Sequence, residues 1–126
     1  MCERLYLFGM TARILSAQPL VEKIKIDLKE RCKRLKSKGI TPTMVVILVG
    51  NNPASLSYIK NKKKMCQEVG AEFRLTQLPE DISSSEFLKQ IETLNADPKV
   101  NGIIIQLPVS VHLKTLNIPE LVKSSK

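Results

Sequence analysis

Lys62 is the residue on which chemistry can be built. It lies in VGNNPASLSYIKNKKKMCQEV, residues 49–69 of the 126-residue chain, where an apolar strand end runs through a tight turn into a helix. Asn52 and Pro53 suit a helix start, because an Asn side chain accepts from otherwise unpaired N–H groups and Pro has no N–H to leave unpaired. At about 100° per residue, Ser55, Tyr58, Ile59, Lys62, Met65, Cys66 and Val69 share one helix face, and Lys60 and Lys64 point the opposite way. A lysine on that core-facing stripe loses hydration, which favours the neutral amine unless the side chain lines a cleft. Such an amine can act as a general acid or base, or as a Schiff-base nucleophile. Ser55 and Tyr58 lie one and two turns into the same helix, and Tyr58 offers a flat face and a hydroxyl to a planar ligand. The plain alternatives are a solvated basic face for Lys60, Lys63 and Lys64 and simple helix packing for Tyr58.

The elements that must position this face can be read in order. Residues 1–13 show no periodic signal and are set aside as a leader without assigned function. Over residues 16–38, Val21, Ile24, Leu28, Cys32 and Leu35 recur at helical spacing, which predicts an amphipathic helix with solvated charges, stopped by Gly39 and Pro42. TMVVILV, residues 43–49, is a continuous apolar run without alternation, as a strand buried on both faces requires. Gly70 stops the Ser55 helix, and AEFRLTQL, with Glu72 and Arg74, reads as a strand nearer a sheet edge. Ser83 and Glu86 form a capping box for a third helix, which ends by Pro98. GIIIQL, residues 102–107, is a second buried strand closed by Pro108, and residues 118–123 begin a last helix. Helices alternating with strands predict an α/β fold, a three-layer α/β/α sandwich with a parallel sheet.

In open parallel sheets ligands bind beyond the carboxyl ends of the strands. The Ser55, Tyr58, Lys62 stripe begins past the end of the first buried strand, and Gln106 ends the second. If those strands are neighbours, the four side chains converge on one cleft. Taken alone, a Gln at the end of an apolar strand is more often a satisfied boundary residue than a site residue, and it is the convergence that favours Gln106; His112 reads as a loop residue.

Composition narrows the classes. The chain is 43% hydrophobic and 25% charged, with a net charge of +8, which fits a soluble domain with an anionic partner. Cys2, Cys32 and Cys66 lack paired spacing, so no disulfide framework or metal site is expected. No run approaches the ~20 apolar residues of a membrane span, no membrane association is expected, and a reducing, cytoplasmic setting is the default. VGNNPAS has one glycine and neither a dinucleotide nor a Walker pattern. A nucleic-acid-binding module is disfavoured by the lack of an aromatic RNA-binding motif.

VGNNPASLSYIKNKKK, with the spacing S-x-x-Y-x-x-x-K-x-K, and NGIIIQLPVSVHL together resemble the bifunctional methylenetetrahydrofolate dehydrogenase/methenyltetrahydrofolate cyclohydrolase family, and ILSAQPLVEKIKIDLKE resembles its first helix. The resemblance covers residues 14 to about 121, the family's N-terminal catalytic domain, and implies a folate-binding catalytic domain over residues 14–126. It implies that Lys62 is the catalytic lysine, that Gln106 hydrogen-bonds and tunes it, that Tyr58 stacks on the folate ring, and that Ser55 supports the lysine. Ile105, Leu107 and Pro108 would line the folate site. The implied ligands are tetrahydrofolate derivatives, with polyglutamylated forms favoured by the basic surface. NADP is expected for the full-length enzyme, as is a homodimer, and the NADP-binding second domain is absent from these residues. Two departures stand out: Val109, Ser110, Val111 and His112 follow Gln-Leu-Pro where the family usually has Leu-Pro and then His, and the family's Asp-Val-Asp-Gly segment is not reached. A truncated, non-catalytic remnant that binds folate or a partner is the competing reading.

Overall fold

The computed structural model describes residues 4–7, 10–13 and 15–126. Its elements are strands β1 (Arg4–Leu7) and β2 (Met10–Arg13), helix α1 (Gln18–Lys36), β3 (Thr43–Val49), α2 (Pro53–Val69), β4 (Glu72–Leu78), α3 (Ser84–Ala96), β5 (Gly102–Ile105), a 3-10 turn (Val111–Thr115) and α4 (Ile118–Leu121). β3 is the centre of a three-stranded parallel sheet in the order β4-β3-β5. Parallel neighbours cannot be joined by a tight turn, so each connection carries a helix.

The TMVVILV run occupies the position its composition demands. Val45, Val46, Ile47, Leu48 and Val49 are all buried, and the two-residue period of a strand sends them alternately to the two faces. Val45, Ile47 and Val49 pack with Phe87 and Ile91 of α3 and with Val100, Val109 and Leu113. Val46 and Leu48 pack with Ile59 of α2. The result is helix, sheet, helix, with α1 lying on α2 at the outside.

Several details depart from the sequence-based expectations. The first thirteen residues contain two strands, β1 and β2, paired antiparallel from Arg4↔Arg13 to Leu7↔Met10; four residues each is too short for alternation to show. The GIIIQL strand ends at Ile105, and Gln106 adds only one more ladder-like bond, from its N–H to the Ile47 carbonyl at 2.8 Å. β5 is also not fully buried, because it stands at the sheet edge, with Ile104 and Ile105 half-covered. On α1 the expected apolar stripe is largely uncovered: Cys32 is buried, but Ile24 is 49% exposed. Among the described residues the main contact of α1 is with α2, and Cys32 is its one buried residue.

That contact carries charge as well. Lys25 meets Glu68 of α2 at 2.9 Å, and Lys64 approaches the same carboxylate at 3.9 Å. The hydrogen bond from Lys25 holds the Glu68 carboxyl below its ordinary value, and the same contact raises the Lys25 ammonium above its own. Lys25 is therefore not part of a merely solvated face. Cys66, also at this junction, has its thiol pushed up chiefly by burial, with Cys32 nearby adding to it, which makes it a poor nucleophile.

The capping box on α3 forms as expected. Ser83 Oγ accepts from Glu86 N–H at 3.2 Å, and the Glu86 carboxylate accepts from the Ser83 hydroxyl at 2.6 Å and from its N–H at 3.3 Å. These bonds hold the Glu86 carboxyl below its usual range. Its contribution to stability is present above the unfolded carboxyl value, about 4.3, and is lost as pH falls through the lower folded value. Ser83→Ala is expected to cost about 1 kcal/mol at neutral pH. The gap between parent and variant should narrow below about pH 4, as read from urea unfolding midpoints across the acid range.

Candidate active site

The site is assembled where β3 hands the chain to α2. Gly50 turns the backbone with φ +77°, the left-handed region that a side chain disfavours. The turn is pinned from β4: Gly50 N–H donates to the Leu78 carbonyl at 2.9 Å, and Gln77 Nε2 donates to the Gly50 carbonyl at 2.9 Å. Asn52 then caps α2, its Oδ1 accepting from Ser55 N–H at 3.1 Å, with Pro53 in the first turn. Gly70, φ +85°, ends the helix in the left-handed cap that its position in the sequence predicted.

With α2 fixed at both ends, its inner face is defined. Ser55, Ile59 and Cys66 are buried, and Lys62 is half-buried at the edge of the same face. Lys62 Nζ donates to Gln106 Oε1 at 2.9 Å. Gln106 Nε2 donates in turn to the Leu107 carbonyl at 2.9 Å, which fixes which end of the amide meets the lysine. The Tyr58 ring, 64% exposed, has its centroid 6.0 Å from Lys62 Nζ, within cation–π range. β5 is hydrogen-bonded beside β3, the neighbourhood on which the expected convergence depended, and Lys62 lies against both Gln106 and Tyr58.

Not every expected residue joins them. Ser55 stands seven residues before Lys62, about 10 Å along the helix axis, and is buried, while the Tyr58 ring lies beside the amine. Ile105 packs toward the α3 layer, on the sheet face away from α2, while Ile104 packs toward α2. Leu107 and Pro108 are exposed and line an apolar groove of about 340 Å³ with Leu116, Ile118 and Pro119. His112 belongs to the 3-10 turn, and its Nε2 lies 2.7 Å from the Ile82 carbonyl.

A larger open groove of about 830 Å³ adjoins Pro108 on its other side. It is lined by the β3–α2 turn at Asn51 and Asn52, by Glu80 and Asp81 after β4, and by Ser110, His112 and Lys114 after β5. Sequence reasoning missed this polar surface. The rule that singled out Gln106 also applies to it, because every one of these residues follows the carboxyl end of a strand.

A neutral carboxamide accepts a hydrogen bond from an ammonium or from an amine. The Lys62–Gln106 pairing therefore survives proton transfer at Nζ, as a carboxylate partner's Coulombic hold on the charged form would not readily allow. The arrangement is suited to moving a proton on a planar ligand laid against Tyr58.

Residues 15–126 match the family described as tetrahydrofolate dehydrogenase/cyclohydrolase, catalytic domain. The chain belongs to that family. The curated bifunctional protein FolD of Geobacillus thermodenitrificans is 44% identical over 117 residues, 93% of this chain and 41% of the relative. The solved bifunctional FolD methylenetetrahydrofolate dehydrogenase/cyclohydrolase of Campylobacter jejuni is 46% identical with a TM-score of 0.84, covering 87% of this chain and 39% of that one. A Trypanosoma brucei methylenetetrahydrofolate dehydrogenase-cyclohydrolase, solved with NADP cofactor and inhibitor, shares the fold at a TM-score of 0.79 and 21% identity, over 88% of this chain and 38% of its own. The chain thus spans about two fifths of the length of these relatives. In this member of the dehydrogenase/cyclohydrolase family, the β3–α2 turn is the joint that aims Lys62. Gly50→Ala places a side chain at positive φ and is expected to cost about 1–2 kcal/mol, measurable by chemical denaturation.

Proposed function

We propose that this chain is the folate-binding catalytic domain of a tetrahydrofolate one-carbon interconversion enzyme. The complete protein would oxidise 5,10-methylene-tetrahydrofolate with NADP and hydrolyse 5,10-methenyl-tetrahydrofolate to 10-formyl-tetrahydrofolate. The observation that carries this reading is the Lys62 Nζ to Gln106 Oε1 hydrogen bond beside the Tyr58 ring, at the carboxyl ends of adjacent parallel strands.

In the hydrolysis, water adds to the one-carbon bridge and one ring C–N bond opens. A proton must leave the attacking water and one must reach the departing nitrogen. Lys62 is the group assigned to carry that proton, Gln106 holds its amine in line, and Tyr58 stacks against the flat ligand. Leu107 and Pro108 supply apolar wall. Ser55 serves by holding the start of α2 in the core, and Ile105 serves through its packing toward α3.

The residues here do not fit a dinucleotide. The β3–α2 turn has the single glycine Gly50, and α2 opens on Pro53, which offers no N–H to a phosphate. No hydride step is therefore assigned to this chain, and NADP is expected to be held elsewhere in the longer enzyme. Among the described residues no three His, Cys, Asp or Glu side chains group as a metal site, and no helix is long and apolar enough to cross a membrane. Cys32 and Cys66 are both free, which supports a reducing, cytoplasmic setting.

Hydrolysis of 5,10-methenyl-tetrahydrofolate, followed by loss of its absorbance, tests the assignment. The parent chain should accelerate the reaction, and Lys62→Ala should lower the rate about 100-fold or more. If the two are indistinguishable, the lysine does not carry the chemistry.

Polyglutamylated folates are the favoured ligands in this reading. Helices α1 and α2 together carry eleven basic and four acidic side chains, seven of the chain's eight net positive charges. A calorimetric titration should show the pentaglutamate of 5-formyl-tetrahydrofolate binding more tightly than the monoglutamate at low salt. The difference should vanish near 1 M salt, where charges are screened beyond about 3 Å. Equal affinities at low salt would reject the preference.

A further inference from the structure

The loop after β5 leaves the sheet at Gln106 and re-enters the core at Val109 and Leu113, which are 6% and 0% exposed. Alongside these anchors two side chains cross to the loop after β4. Ser110 Oγ donates to the Glu80 carbonyl at 2.6 Å, and His112 Nε2 meets the Ile82 carbonyl at 2.7 Å. A carbonyl can only accept, so His112 is the donor from Nε2. The receiving loop is itself held, because Ile82 is buried and Ser83 begins the α3 cap.

We propose that Ser110 and His112 are positioning residues for the Lys62–Gln106 pair. Gln106 presents its oxygen to Lys62 because its nitrogen has an acceptor, the Leu107 carbonyl. A carboxamide turned end for end would aim N–H groups at the Lys62 ammonium, which can only donate, and the contact would be lost whenever the amine is protonated. What selects the working orientation is therefore the place of the Leu107 carbonyl, one residue before Pro108 and three before Ser110. The two cross-loop bonds keep that stretch from sliding along the β4–α3 loop.

The functional consequence rests on the folate-enzyme reading, but the positioning itself can be measured without folate. In the ¹⁵N-labelled 126-residue chain, the Gln106 side-chain amide is identified by its disappearance in Gln106→Leu. In the parent its two protons should be well separated in shift and slow to exchange with water. In Ser110→Ala/His112→Ala both features should move toward those of a free glutamine, with exchange faster by about tenfold, the scale of one net hydrogen bond. Ser110→Thr and His112→Gln, which keep a donor, should each retain the parental signal. The single variant Ser110→Ala, at a half-buried loop position, provides the same reading at half strength if the double variant does not fold. An unchanged Gln106 signal in folded Ala variants would overturn the proposal, as would loss of the signal in the donor-retaining variants. Titration of 5-formyl-tetrahydrofolate in the same samples separates the two ideas: a parent that binds none sinks the folate reading, whereas the amide spectrum alone decides the positioning role.

Discussion

The burial of β3 on both faces is the constraint from which the molecule follows. A strand whose side chains face apolar layers on either side needs helices above and below it, and a strand whose every N–H and C=O is shielded needs partners along both edges. β4 and β5 meet the second need, and α2 and α3 meet the first. Because β5 is held in register with β3, the residue just past Ile105 must emerge beside the start of α2. Gln106 and Lys62 are forty-four positions apart in sequence, and their meeting is a consequence of that pairing.

The parts of this design that could be read from the chain are those decided locally. The apolar run of β3, the Asn52 and Ser83 caps, the Gly70 stop and the face shared by Tyr58, Ile59, Lys62 and Cys66 each depend on a few neighbouring residues. The rest depended on what lies across the fold. Ile105 and Gln106 alternate by strand geometry, yet only the packing of β5 shows that Ile105 faces α3 and so stands away from the lysine. The exposure of Ile24 on α1 depends on how that helix meets α2, which its own periodicity does not reveal. The partner of Lys25 is on α2, so its ion pair has no local signature. Strands β1 and β2 are too brief to announce themselves. The groove beside Pro108 is built from three loops, and no single one carries a motif.

The candidate site combines a rigid support with a soft charge environment. α2 is fixed at one end by Asn52 and Gly50 and at the other by Gly70, so the lysine's root does not wander. Its partner is uncharged, so the amine is oriented without being committed to one protonation state. A carboxylate in place of Gln106 would give a stronger contact and a poorer proton carrier, since each proton lost would be resisted by the field of the anion. Strength of interaction and usefulness for chemistry pull in opposite directions here.

The two borders of the sheet are protected unequally. On the β4 side Glu72 and Arg74 place charges along the rim, paired with each other at 2.7 Å, and charged rims discourage the addition of foreign strands. The β5 rim is Gly102 followed by three isoleucines, without a charge among them. Among the described residues no strand pairs with its outer edge, and its side chains favour extended backbone. Any polypeptide that extends this sheet, whether as a native neighbour or as an unwanted aggregate, will find its lowest barrier to attachment at that isoleucine border.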